Sequence, residues 1–454
     1  MKIVIVGAGE VGYHIASRLA LENKDVVVVD KNMDALRRVS ENTDVQTIAG
    51  SGSSPAVLEE AGIRKAEILL AVTNQDETNL VACLVADMLS PTTKKIARIR
   101  GADFDPYHET FRRQPPHIDT VINPEIEVVK TIERLMRVPG AVDVGEFADG
   151  RIRFVGVYLD RNARLAGLRL TELPQKIGHR RLLIAVIVRE EEVIIPTGKD
   201  QLLPGDLIYF ICEQKQLSEI LAIFDKRAKP LKRVLIVGGG RIGYRLATRL
   251  ESQSIYCKII ERNALRCAEL SEKLDKTVVL QGDATDHTLL NEENISDIDV
   301  VITLTNDEET NILSSLLATS LGAAKAIIKI SKFSYLPLMK AIGIEQVVSP
   351  RLSAINTILQ HIRRGKVLSA VSLKGEQAEV MEAVALETSD IVGIPLRRIS
   401  FPRGAILAAI IRGDQIIIPT GDSVVEPNDH VIVFAQRRAI SGVEKLLAVK
   451  LEYF

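Results

Sequence analysis

The sequence contains no tryptophan, and aromatic residues make up only 4% of it. Few stacking platforms are therefore available for single-stranded nucleic acid. An excess of charge of either sign is also lacking, since 58 basic and 59 acidic residues nearly cancel. That balance argues against a broad electrostatic footprint for nucleic acid or anionic lipid. Only four cysteines occur, Cys83, Cys212, Cys257 and Cys267, and none forms a C-x-x-C pair. A disulfide scaffold and a structural zinc site are not expected; the four read as packing residues in a reducing cytosol. The seven histidines show no spacing of a metal pair. No apolar run approaches the ~20 residues that a membrane helix needs. Runs such as LLIAVIV at 182–188 and AILAAII at 405–411 read as buried strands. The opening MKIVIVGAG enters a strand and a turn without a long apolar region, so no signal peptide is expected.

What the chain does have is a duplication. KIVIVGAGEVGYHIASRL at 2–19 is repeated as RVLIVGGGRIGYRLATRL at 233–250, an offset of 231. After one inserted residue the offset becomes 232, and TNQDETNL at 73–80 matches TNDEETNI at 305–312. VIIPTGKDQLLPGDLIYFI at 193–211 parallels IIIPTGDSVVEPNDHVIVFA at 416–435 at an offset of 223. Each half therefore has a first part that alternates strands with helices and a second part richer in β patterns. The stretch 213–233 reads as a helix followed by a basic, proline-containing linker. In the first part KIVIV, DVVVVD, VQTIA, EILLAVT and KKIARI are short continuous apolar runs. Such runs mark parallel strands buried on both faces. Val11, Ile15, Ala16 and Leu19 form one apolar helix face, and Ile242, Leu246, Ala247 and Leu250 repeat it. Further helices are expected at 124–137 and 350–364, each leading into a β-rich part.

The two glycine turns sit between a strand and a helix, the context that turns G-x-G-x-x-G into a dinucleotide cradle. Gly7, Ala8, Gly9, Glu10, Val11 and Gly12 form the first; Gly238, Gly239, Gly240, Arg241, Ile242 and Gly243 form the second. The first glycine allows the tight turn, the second lets backbone approach a pyrophosphate, and the third lets helix and strand pack closely. Asp30 and Glu261 end the second strand, where a carboxylate accepts from ribose hydroxyls and disfavours a 2′-phosphate. The loops GSGSS, with Gly50 and Ser51, and GDATD, with Gly282 and Asp283, follow the third strand. Approach to the adenosine and helix N-capping explain them equally well. Thr73 and Asn74, like Thr305 and Asn306, end the fourth strand, where ligands bind in this architecture. The asparagines could equally cap the next helix, with Asp76, Glu77, Asp307 and Glu308 favouring its dipole. Arg98 and Lys329 match on the fifth strand, as phosphate neutralisers or as solvated strand-end charges.

No catalytic arrangement accompanies the cradles, and no metal-ligand set. Two nucleotide folds without evident chemistry read as a sensor. GAGEVG with Asp30, AVTNQDETNL and ARIR resemble the regulator-of-potassium-conductance nucleotide domain, RCK-N or TrkA-N, and the β-rich parts resemble its TrkA-C companion. Two such pairs in tandem resemble the family of Trk-system potassium uptake proteins over essentially the whole chain. The resemblance implies an α/β fold of two tandem Rossmann-like, doubly wound parallel-sheet domains, each followed by a smaller α+β TrkA-C domain. The expected division is 1–138, 139–225, 232–364 and 365–454. It further implies binding of NAD (NAD⁺ or NADH), with ATP or ADP in some members. The partner it implies is a membrane potassium-translocating subunit of the TrkH/TrkG type, with the chain peripheral at the inner face of the cell membrane. By analogy four chains would form a homotetrameric gating ring; nucleic acid is not an expected partner. The rival readings are an NAD-dependent oxidoreductase with an unrecognised substrate pocket and a scaffold with vestigial sites. Because Gly50-Ser51 replaces the Gly-Asp seen at Gly282-Asp283, and Asp30 matches the longer Glu261, the two sites are expected to differ in nucleotide preference or affinity.

Overall fold

The computed structural model describes residues 1–178, 180–190, 192–226, 231–362, 367–373 and 378–447. Residues 227–230 of the linker expected within 213–233, and the end of the helix expected to reach 364, lie outside them. Two compact units result, Met1–Glu127 with Pro350–Arg363, and Val128–Ser349 with Arg364–Phe454.

In the first unit β1 (Lys2–Val6), β2 (Asp25–Asp30), β3 (Gln46–Ala49), β4 (Ile68–Ala71), β5 (Lys94–Arg98) and β6 (Thr120–Ile122) form one sheet in the order β3-β2-β1-β4-β5-β6. Every pairing is parallel. The apolar runs explain this: Ile3, Val4, Ile5, Val27, Val28 and Leu70 are fully buried, as both faces of the sheet are covered by helices. The helix Glu10–Leu21 buries Val11, Ile15, Ala16 and Leu19 as its spacing predicts.

The second unit begins its strands with β7 (Ala141–Phe147), β8 (Ile152–Tyr158), β9 (Leu182–Arg189), β10 (Glu192–Ile194) and β11 (Leu207–Glu213), an antiparallel sheet ordered β10-β9-β11-β8-β7. A second parallel sheet follows, from β12 (Arg233–Val237), β13 (Tyr256–Glu261), β14 (Val278–Gln281), β15 (Val300–Thr303), β16 (Ala326–Lys329) and β17 (Val347–Val348), with the same strand order as the first. The last sheet contains β18 (Val367–Leu373), β19 (Ala378–Val384), β20 (Ala405–Arg412), β21 (Gln415–Ile417) and β22 (His430–Gln436) in the order β18-β19-β22-β20-β21. The two antiparallel sheets share one core that includes Phe154, Tyr209, Val380 and Phe434. Within it Phe154 and Tyr209 stack at 5.2 Å between centroids.

The helices joining the parts are exchanged between the halves. The helix Pro350–Ile362 belongs to the unit of the first parallel sheet, where it packs on the helix Glu10–Leu21. Conversely, Val128–Arg137 of the helix Pro124–Arg137 lies in the unit of the second parallel sheet. Glu133 accepts there from Arg249 Nε at 2.8 Å and from Gln253 Nε2 at 2.7 Å. Matching lysines at the amino ends of the fifth strands hold both helices. Lys94 Nζ donates to the His361 carbonyl at 2.8 Å, and Lys325 Nζ to the Leu135 carbonyl at 2.7 Å. Carbonyls in a last helical turn lack intrahelical partners and carry negative partial charge, so they suit a cation.

Candidate functional site

Both glycine turns lie at the carboxyl ends of their sheets, where a ligand enters this architecture. Gly7 has φ +114° and Gly238 φ +102°. A Cβ at Gly7 would stand 2.9 Å from Thr73 N, and at Gly238 3.0 Å from Thr305 N. At Gly12 it would stand 1.8 Å from the Gly7 carbonyl oxygen, and at Gly243 2.1 Å from that of Gly238. Gly9 and Gly240 are different, because a Cβ there meets nothing within 4 Å. Both are N-cap residues, and neither following helix receives a side-chain cap. No side chain caps the amides of the first helical turn, and space is open beside the N-cap residue at this positive dipole end, which fits a diphosphate.

The carboxylates at the ends of β2 and β13 shape these turns. Asp30 Oδ2 accepts from Ala8 N at 2.6 Å and Oδ1 from Asn32 N at 2.8 Å. Glu261 Oε2 accepts from Gly239 N at 2.8 Å and Oε1 from Asn263 N at 2.9 Å. Each oxygen keeps a further lone pair, so ribose hydroxyls remain compatible with these bonds.

The asparagines after the fourth strand do not cap the next helix, which corrects one of the two readings of the sequence. Asn74 Oδ1 accepts from Arg98 Nη2 at 2.8 Å, and Asn306 Oδ1 from Lys329 Nζ at 3.2 Å. The helix Asp76–Leu89 starts without a side-chain cap, whereas Asp307 caps Glu308–Ser320 by accepting from Thr310 N. Arg98 and Lys329 are each only 7% exposed, so they are not solvated strand-end charges. Burial pushes Arg98 down to about 10, and its Nε is buried without a hydrogen-bond partner. Asp76 and Glu308 do more than favour a dipole. Asp76 Oδ2 accepts from Arg100 N at 2.9 Å and Gly101 N at 2.8 Å, and Glu308 Oε1 from Ser331 N and Lys332 N at 2.8 and 2.9 Å.

The loops after the third strands differ. Ser51 Oγ bonds Ser53 Oγ at 2.8 Å, and Ser54 makes no capping bond. In the second loop Asp286 does cap, accepting from Thr288 N, while Asp283 pairs with Arg262 at 3.0 Å. Gly50 and Gly282 pack against the helix that follows, since a Cβ would come within 2.7 Å of Val57 and 2.5 Å of Leu289.

Two features escaped the sequence reading. Asn79 is fully buried and joins the ends of the fourth and fifth strands. Its Oδ1 accepts from Thr73 N and Oγ1 at 2.9 and 2.7 Å, and its Nδ2 donates to the Thr73 and Arg98 carbonyls. Asn311 repeats all four bonds around Thr305 and Lys329. The second feature is charge. Glu10 is bonded to Arg38 at 2.5 Å and lies 3.6 Å from Arg351, and the Arg38 bond draws its carboxyl below the usual range. The matching position of the second turn is Arg241. Elsewhere the thiols of Cys83, Cys212 and Cys257 are pushed up to about 12 by burial, leaving poor nucleophiles at neutral pH. Among the described residues no group of His, Cys, Asp and Glu is arranged to hold a metal, and no helix is long and apolar enough to cross a membrane.

Comparison with known proteins agrees with this architecture. The TrkA-N domain family matches residues 3–124 and 234–350, and the TrkA-C domain family matches 154–225 and 380–448. The chain is 40% identical to the Trk system potassium uptake protein TrkA of Halomonas elongata over 458 residues, covering 100% of both chains. It is 39% identical to that of Vibrio alginolyticus, covering 98% of each. Among solved structures the GsuK channel superposes with a TM-score of 0.61 at 20% identity, over 98% of this chain and 78% of that one. The GsuK channel bound to NAD superposes at 0.59, also at 20% identity, with the same coverage of 98% and 78%.

Proposed function

The chain belongs to the TrkA family of Trk-system potassium uptake proteins, and on that premise we propose that it is a regulatory subunit that reads adenine nucleotides. It is not an enzyme. One ligand sits on each glycine turn: NAD(H), or ATP or ADP. The single observation carrying this reading is the pair of uncapped helix N-termini above open space at Gly9 and Gly240, each beside a strand-end carboxylate. Backbone amides of the first turn would hold the diphosphate, Asp30 or Glu261 the ribose, and Arg98 or Lys329 further negative charge. Gly7, Gly12, Gly50, Thr73 and Asn74, with Gly238, Gly243, Gly282, Thr305 and Asn306, would shape the cradles. We take 1–138 and 232–364 as the nucleotide domains, and 139–225 and 365–454 as their smaller companions.

A bound nucleotide shifts a conformational balance only by its difference in affinity between the two states. The exchanged helices 124–137 and 350–362 are the elements through which that shift would leave each nucleotide domain. Its recipient is a membrane potassium-translocating subunit of the TrkH/TrkG type, contacted from the cytoplasmic side by a ring of four chains. The test is potassium flux through the reconstituted partner, titrated with NADH and with ATP. Flux is expected to respond to at least one of them, and Gly9→Leu with Gly240→Leu, which fill both cradles, is expected to remove the response. Flux indifferent to every adenine nucleotide would overturn the proposal, as would turnover of NADH by the purified chain.

A further inference from the structure

The two cradles are built differently at the point where a dinucleotide carries either a 2′-hydroxyl or a 2′-phosphate. Arg262 directly follows the Glu261 carboxylate. An arginine beside this strand end is the group that receives a 2′-phosphate in related folds. Here it is already engaged. Glu261 pairs with Gln281 in the β13–β14 register, which brings the residues after both strands together. Arg262 Nη2 consequently lies 3.0 Å from Asp283 Oδ2. Asp283 is itself fixed, because its Oδ1 accepts from Thr285 N at 2.9 Å and from Thr285 Oγ1 at 2.7 Å.

The Arg262–Asp283 pair contributes little to folding, because the two side chains are 69% and 38% exposed and such pairs are screened. Its effect on a ligand is larger. Asp283 takes the cation that a 2′-phosphate needs and adds a second carboxylate next to Glu261. The first cradle lacks both devices. Ser51 stands where Asp283 does and turns its hydroxyl to Ser53. Lys31, which follows Asp30, has no hydrogen-bond or ion-pair partner among the described residues.

The geometry points to Asp283 as a specificity residue: by holding Arg262 it makes the second cradle reject 2′-phosphorylated dinucleotides, while the first cradle, with Ser51 and an unpaired Lys31, rejects them less. This rests on the reading that the cradles take adenine dinucleotides.

The experiment uses the full chain with one cradle filled at a time. Gly9→Leu puts a side chain into the first, where an added Cβ meets open space, and Gly240→Leu does the same for the second. NADH and NADPH are titrated calorimetrically, and the ratio of their Kd values is read for each cradle. In the Gly9→Leu background, Asp283→Asn keeps an oxygen for the Thr285 amide and removes the charge. It is expected to lower the NADPH-to-NADH Kd ratio about tenfold, the worth of one released charge-assisted hydrogen bond, while NADH affinity moves less than about threefold. Adding Arg262→Ala should restore the ratio. In the Gly240→Leu background the unmodified first cradle should show a smaller ratio than the unmodified second. A ratio unchanged by Asp283→Asn while NADH still binds would overturn the assignment of Asp283, and equal ratios at the two cradles would overturn the asymmetry. Failure of NADH to bind either single-cradle protein would instead overturn the reading on which the inference rests.

Discussion

A single carbon separates two classes of glycine in the turns. At Gly12 an added Cβ would lie 1.8 Å from a backbone oxygen that cannot withdraw without opening the turn, whereas at Gly9 it would meet nothing. Gly12→Ala is therefore expected to cost about 3 kcal/mol or more, and Gly9→Ala only the roughly 1 kcal/mol or less of a poorer N-cap, read from urea unfolding midpoints. The Gly9 variant should nevertheless bind nucleotide more weakly, because its methyl group enters the cradle. Asn79→Ala would strip the partners from the half-buried Thr73 N and Oγ1 and from the buried Arg98 carbonyl, at an expected cost of about 3 kcal/mol in the same assay. The glycines were legible because their spacing and flanking patterns state a backbone requirement. Asn79 was not, though a signal existed: it shares the buried helix face with Ala82, Cys83 and Ala86. An amide among apolar residues on one face demands buried partners. Asn74 and Asn306 were half legible, since a strand-end asparagine suits a cap and a cation equally, and only the fold brings Arg98 and Lys329 within reach.

The secondary elements were legible where they are long. Five strands of the first parallel sheet announce themselves as apolar runs, but Thr120–Ile122, and Val347–Val348 of the second sheet, of three and two residues, are too short to show a period. Helix exchange was invisible, because an amphipathic pattern declares that a face is covered without saying by which half of the chain. The anchoring lysines make that exchange testable. Burial lowers Lys325 from 10.5 to about 8. Between those values the unfolded chain holds a proton that the folded chain gives up, so stability rises with pH across that window. Below about 8 the full cost of the buried charge is present, and above 10.5 it is gone. Lys325→Met should abolish this rise, as shown by comparing unfolding midpoints of both proteins at pH 7.5 and pH 10, values chosen on either side of the lower limit.

At the scale of the whole molecule the duplication was the most legible feature, and the interdependence of its copies the least. Periodicity shows two similar halves, but a core shared by Phe154, Tyr209, Val380 and Phe434 arises only when both antiparallel sheets exist. Separate expression of 1–226 and 231–454 should therefore yield fragments that self-associate or aggregate. Co-expression should yield one complex containing equal amounts of both, as judged by light scattering after gel filtration. Neither fragment possesses every helix that its own parallel sheet uses. Two separate polypeptides with this arrangement would come apart on dilution, since their union would depend on the amount of protein present. Covalent tethering replaces that dependence with a fixed local concentration. However few copies a cell holds, the two halves of each chain thus stay joined, with its two cradles always present in equal number.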